Sequence, residues 1–356
     1  MKTKIGCFVV LIMVMMPAVK VHAQAGADSL LSFIQKNKDR SSLFLTANDT
    51  VVAHLNEGKI MPLASTVKII VALEFARQAA HNAIDQNERI PLAELNKYYV
   101  ANTDGNAHPG WIAYETKQGH ILHDSVALIN VARGMTIFSS NANMEYLLDR
   151  LGFDNVNNNL RLLGLKNHTP IYPLVSALFF YQNPKKINEE KILQEIRKMS
   201  NAQYAQAALL IHRELKGDSN YKKQFRPQDL TLKMQREWSD RLPASTTAEY
   251  VKLCYILNKR KDFDDATYQV LAKELEAVME NPANQSWLLH SGMKGGSTAY
   301  VLTKALYGTL KNGNSIELAY FFDDLTIPEN FMLQKWMNDF ELKILTDDQF
   351  RKHLDL

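Results

Sequence analysis

Strand signals at both ends, with helical spacing between them, constrain this chain more than any other feature of its sequence. Near the start, SSLFLTA and TVVAHL flank Asn48-Asp49, a pair suited to a hairpin turn. Near the end, AYVLTKALYGTLKNGNSIELAYFFDDL is broken by Asn312-Gly313, and Ile316, Leu318, Tyr320 and Phe322 alternate onto one face. A short helix is expected over 30–37 and a closing helix from Pro328, where a missing N–H costs nothing. Between the ends, STTAEYVKLCYILNKR places Tyr250, Leu253, Cys254 and Leu257 on one stripe behind a capping box of Thr246 and Glu249. NEEKILQEIRKMS and AQAALLIHREL add helices in a charged stretch that reads as an insertion. The expectation is an α/β protein of the α+β type. An antiparallel sheet drawn from both termini (about 28–60 and 286–356) would carry a mostly helical lobe (about 65–285) inserted between its strands.

Residues 1–23 stand apart from that fold. Lys2 and Lys4 precede an apolar run from Ile5 to Val19, and Val21-His22-Ala23 supplies the small residues of a cleavage site after Ala23. A periplasmic or secreted protein is expected, with 24–356 as one two-lobed domain. Cys7 lies too early for lipidation, and no later segment has the length to span a bilayer. Loss of Lys2, Lys4 and Lys20 from a chain of formal charge +3 leaves a neutral mature protein. With no basic block, that excludes nucleic acid and an anionic membrane as expected partners. Cys254 then remains alone, so no internal disulfide is expected, and its place in an apolar stripe suits a buried small hydrophobe.

The chemistry starts at MPLASTVKII. Ser65 and Lys68 stand three apart at the head of a helix and so share a face. A serine hydroxyl needs a base within reach to act as a nucleophile, and a lysine serves when burial and neighbouring cations lower its pKa. The helix start also offers N–H groups to a developing oxyanion. Taken alone, Ser65 is more readily a helix cap. Two further segments change that balance: GMTIFSSNANMEYLL carries Ser139-Ser140-Asn141 ahead of a helix, and WLLHSGMKGGSTAY places Lys294-Gly295-Gly296 on a strand. The ordered set Ser-x-x-Lys, Ser-x-Asn, Lys-x-Gly belongs to a known acyl-transfer constellation. His120, His123 and Asp124 match no metal spacing, there is no phosphate-binding glycine loop, and neither metal nor cofactor is expected.

With these motifs the chain resembles the class A β-lactamases and the wider superfamily of penicillin-recognising serine hydrolases. NEGKIMPLASTVKI, SVALINVARGMTIFSSN and RLPASTTAEYVKLCYIL sit where the family places comparable segments. The resemblance implies that Ser65 is acylated, that Lys68 is its base or proton relay, and that Ser139 relays a proton to the leaving group. It implies that Asn141 binds a substrate amide and that Lys294 sets the field around Ser139 and a substrate carboxylate. Gly296 would let the strand approach, and the N–H groups of Ser65 and Ser297 would form the oxyanion hole.

The sequence departs from that pattern in three places. Gly295 stands where a hydroxyl residue is usual, and Ser297, two positions along the same strand face, is the nearest replacement. Ser140 stands where aspartate is common. The stretch LGLKNHTPIYPLVSALFF, where class A enzymes carry a deacylating glutamate, holds no Asp or Glu, leaving His168 or Tyr172 as substitutes. A long spacer before Ser139 adds Tyr98, Tyr99, Trp111 and Tyr114 in an expected loop. That loop is read either as one whose aromatics pack locally or as a lid, with Trp111 contacting substrate and Asp104 or His108 entering the site. The functions consistent with this are a β-lactamase-like hydrolase acting on small β-lactam or D-Ala-type substrates, a D-alanyl-D-alanine peptidase-like amidase, or a binding module without turnover.

Overall fold

The computed structural model describes residues 20–183, 187–218 and 220–356. Most of the leader expected over 1–23 lies outside the described residues. Among those described, no helix is long and apolar enough to cross a membrane.

Helix α1 (Lys20–Lys36) is longer than its sequence spacing suggests and leads into the sheet. Strands β1 (Ser41–Ala47) and β2 (Thr50–Leu55) form the expected hairpin. Asn48 and Asp49 both take positive φ (51° and 65°), as a two-residue turn matched to strand twist requires. The far end of the chain supplies β3 (Leu288–Ser297), β4 (Leu302–Leu310) and β5 (Ser315–Phe322). The antiparallel order is β2-β1-β5-β4-β3, so the last strand pairs with the first and β3 is left as a free edge.

Both faces of the sheet are covered, which is why β5 is buried along its whole length. Ile316, Leu318, Tyr320 and Phe322 meet α1 and the C-terminal helix Ile327–Thr346 in one core with Leu30, Ile34 and Phe340. Ala319 and Phe321 point the other way and join the core of the helical lobe.

At the centre of that lobe is α2 (Lys68–Ala80), buried from Lys68 through Ala76. A helix apolar all round can only sit inside. Around it lie α3 (Ala107–Lys117), α4 (Leu128–Thr136) and α5 (Asn141–Leu151). The charged stretch forms three inserted helices, α6 (Glu189–Lys198), α7 (Asn201–Gly217) and α8 (Leu232–Asp240). Next, α9 (Thr247–Lys259) packs beneath β4 and β5, with Cys254 buried as expected. Only half of the expected capping box forms there. Thr246 Oγ1 accepts the Glu249 N–H (3.1 Å), but the Glu249 carboxylate is taken by the Ser245 hydroxyl (2.6 Å) and the Asn167 N–H (2.7 Å).

The insertion is tied down at both ends. On α7, His212 Nδ1 meets Glu145 (3.2 Å) and Lys216 pairs with Asp149 (2.8 Å), both on α5. On α8, the Ser239 hydroxyl donates to Thr298 Oγ1 (2.9 Å), and the Leu232 carbonyl accepts from Tyr300 (2.9 Å), just beyond β3.

The expected lid is a correction. Residues 107–117 are helical, Tyr98 is 2% exposed and Trp111 is 0% exposed. Trp111 lies against Gly134, where a Cβ would sit 2.7 Å from its Nε1, and donates to Glu115 (3.2 Å). It packs the lobe and cannot contact substrate.

Candidate active site

The three motifs converge. Ser65 lies in a tight helical turn, Ala64–Val67, that runs directly into α2. In such a turn residues i and i+3 eclipse, which sets Ser65 and Lys68 on one side. Leu63, not Ser65, takes the position before the turn, so the cap reading fails. Ala64 (φ 46°) and Ser139 (φ 67°) are non-glycine residues in the left-handed region. Strain of this kind, roughly 1–3 kcal/mol each, persists only where surrounding structure imposes it.

Lys68 is fully buried, and its amine donates to the Ser139 carbonyl (2.6 Å) and to Asn141 Oδ1 (2.7 Å), with Ser139 Oγ at 3.3 Å. From β3, Lys294 Nζ donates to Ser139 Oγ (3.0 Å) and to the Gly295 carbonyl (2.8 Å). The Ser139 hydroxyl therefore stands between two amines. Burial, then the charge of Lys294, hold the Lys68 amine well below the usual lysine range, while the carboxylates of Asp104 and Glu145 oppose that shift. Burial and the charge of Lys304 bring Lys294 down to about 7. Near neutrality this site can hold an amine with a free lone pair, able to take a proton from an alcohol.

Gly296 closes the arrangement. A Cβ there would fall 2.4 Å from the Ser65 backbone nitrogen, so the strand edge presses on the turn that carries Ser65. Ser297 is a second correction. Its hydroxyl bonds the Thr298 carbonyl (3.1 Å) and faces Asn330 and Gln334 of the C-terminal helix (3.5 and 3.3 Å), on the sheet face opposite α2. Its side chain does not replace the hydroxyl missing at Gly295, and only its backbone remains available to the cleft.

Neither substitute for the missing loop acid is free to act. His168 is buried with both nitrogens engaged, Nδ1 with the Thr169 carbonyl (2.6 Å) and Nε2 with Tyr250 (3.1 Å), and burial lowers its pKa to about 4. The Tyr172 hydroxyl donates to the Arg241 carbonyl, and burial raises its pKa well above the usual value. Ser140 caps α5 by accepting the Asn143 N–H (3.2 Å) and is met by His108 Nδ1 (2.9 Å).

Glu145 was not anticipated from sequence. It is 0% exposed, and its carboxylate accepts from the Val175 N–H (2.7 Å), the Ser176 N–H (2.8 Å) and the Ser176 hydroxyl (2.6 Å), holding that segment to α5. The available signal was a carboxylate in the apolar stripe of Met144, Leu147, Leu148 and Leu151, one turn beyond Asn141. Among the described residues no group of three His, Cys, Asp or Glu is placed to hold a metal, and His120 pairs with Glu115 (2.7 Å).

Comparison with known proteins agrees with this fold. The profile of the beta-lactamase enzyme family matches residues 27–267. Curated proteins give no match. By structure the chain is similar to a β-lactamase from Sphaerobacter thermophilus (TM-score 0.57, 14% identity, covering 92% of this chain and 98% of that one). It is also similar to a class A β-lactamase representative from Bacteroides cellulosilyticus (TM-score 0.52, 15% identity, 92% and 99% covered). A third similar structure is a mutant of PBP-A in an acyl-enzyme complex with penicillin G (TM-score 0.50, 12% identity, 89% and 94% covered). At these identities the likeness is one of fold.

Proposed function

The chain belongs to the beta-lactamase enzyme family, and from that premise we propose that it is an exported serine hydrolase that opens β-lactams or related amides and esters through an acyl intermediate on Ser65. The observation that supports this most is the meeting of two buried lysine amines at the Ser139 hydroxyl, beside the turn that carries Ser65.

In this reading neutral Lys68 takes the Ser65 proton as the oxygen attacks the substrate carbonyl. The resulting oxyanion lies between the N–H groups of Ser65 and Ser297. Ser297 shares strand parity with Gly295, whose carbonyl turns toward the Lys294 amine, so its N–H falls on the free edge of β3. Ser139 donates its proton to the departing nitrogen and is resupplied by protonated Lys294, which solvent reprotonates, so that Lys68 keeps the proton taken from Ser65. Asn141 bonds the substrate amide, protonated Lys294 attracts a substrate carboxylate, and Gly296 lets strand and nucleophile turn approach. Residues 1–23 serve as an export leader, and 24–356 act as one two-lobed domain on small molecules, not on nucleic acid.

The test is to label purified mature protein with a fluorescent penicillin beside Ser65→Ala and follow intact mass over time. Gain and loss of an adduct on the wild type alone is the expected result. Equal labelling of Ser65→Ala would remove Ser65 from the mechanism. A second reading, a D-alanyl-D-alanine peptidase-like amidase, is favoured by the lack of any acid between residues 163 and 180, and a persistent adduct would support it.

A further inference from the structure

Asp104 sits in the turn ahead of α3. Its Oδ2 accepts the His108 N–H (2.9 Å), an ordinary use of a carboxylate near a helix start. That role occupies one oxygen. The other, Oδ1, is buried and has no hydrogen-bond partner. Leaving a buried acceptor unpaired costs on the order of 1–3 kcal/mol, more when it is charged.

His108, one helical turn on, links this turn to the loop of the second motif. It is 2% exposed, and its Nδ1 meets Ser140 Oγ (2.9 Å) and Asn143 Oδ1 (3.1 Å). Ser140 lies between Ser139 and Asn141, the residues that receive the Lys68 amine. The His108 Nε2 is likewise buried without a partner. Both atoms lack a protein partner, and His108 is anchored to the loop that binds Lys68; an unpaired buried polar atom is where an ordered water is held. Of the two carboxylates whose charge reaches Lys68, Asp104 acts more strongly than Glu145.

The competing groups have no capacity left. Glu145 accepts three hydrogen bonds from Val175 and Ser176 and pairs with His212, and both His168 and Tyr172 are fully engaged. Of the two described carboxylates whose charge reaches Lys68, Asp104 is the one that keeps an oxygen without a partner. Resting on the acyl-Ser65 reading above, we propose that Asp104 is the general base of deacylation, its Oδ1 holding the hydrolytic water and taking its proton. The water oxygen bonds to the acyl carbon as its proton passes to Asp104. The tetrahedral intermediate then breaks the bond to Ser65 Oγ, which recovers the proton held by Lys68, and the product leaves as a carboxylic acid. Asp104 returns its proton to solvent. Burial raises the pKa of Asp104 above the usual aspartate value, which suits a base working near neutrality.

The experiment measures acylation and release separately, by intact mass with penicillin, for wild type, Asp104→Asn and Asp104→Ser. Both variants keep a helix-capping oxygen, and if one fails to fold the other decides. The expected result is adduct formation near the wild-type rate with release slowed roughly 10²–10⁴-fold. Release at the wild-type rate would overturn the proposal, as would a wild-type adduct that never releases. Acylation and release lost together in a folded variant would place Asp104 behind Lys68 and overturn the assignment to the water. No adduct on the wild type at all would remove the Ser65 reading itself, and this proposal with it.

Discussion

Gly296 is where β3 comes nearest to the turn bearing Ser65, and it offers the sharpest test of the geometry. A methyl group there would lie 2.4 Å from the Ser65 nitrogen, 2.6 Å from the Leu63 carbonyl oxygen and 2.8 Å from the Thr66 nitrogen. All three are backbone atoms, so no rotamer change relieves the clash. Ordinary contact begins at 3.4 Å, and strand and turn must therefore part by about 1 Å. A displacement of that size at a reacting group costs about 100-fold in rate, and overpacking of this kind costs about 1–3 kcal/mol of stability. Gly295 is the internal control, because a methyl there meets Lys304 Cδ and the Thr303 carbonyl at 3.4 Å, an ordinary distance. Acylation rates with a fluorescent penicillin, with melting curves alongside, should show Gly296→Ala about 100-fold slower and less stable. Gly295→Ala should stay within roughly threefold of wild type. The reasoning is refuted if the two variants behave alike, or if Gly296→Ala keeps the wild-type rate.

Other expectations follow from particular contacts. Because Lys294 is held down to about 7 against 10.5 in the unfolded chain, the unfolded state binds the extra proton between those values. Stability should thus rise with pH across that window, and urea unfolding of Lys294→Met at several pH values should show a flatter dependence. Glu145→Ala strands the Val175 and Ser176 donors and the buried His212; it should cost roughly 3 kcal/mol or more and speed amide exchange at both N–H groups. Trp111→Ala opens a cavity in the lobe and should cost about 3–5 kcal/mol while leaving the order of substrate preference unchanged. A changed preference would return Trp111 to the substrate.

What could be read from the chain was local or carried by spacing. The Asn48-Asp49 hairpin, the alternation through Ile316 to Phe322 and the segment around Lys294 all formed as expected, since turn chemistry and period-two burial act over a few residues. The three motifs could be ordered along the sequence, but their meeting at the Ser139 hydroxyl depends on long-range packing. What escaped was set by contacts between distant segments. Pro109 and Gly110 made α3 look like a loop, although Pro is tolerated in a first helical turn, and Gly134 buries Trp111 from a separate helix. Ser297 was read by strand parity alone, which gives its face but not that Asn330 and Gln334 wait there. Glu145 was invisible as a loop anchor because its partners lie thirty residues on.

The three inserted helices carry one more consequence. Grasping α5 through His212 and Lys216, and the chain just past β3 through Ser239 and Leu232, they clamp the two halves of the molecule like a buckle. Neither half can then loosen alone, so a calorimetric trace of the intact protein should contain a single peak, and cutting the buckle should split it in two.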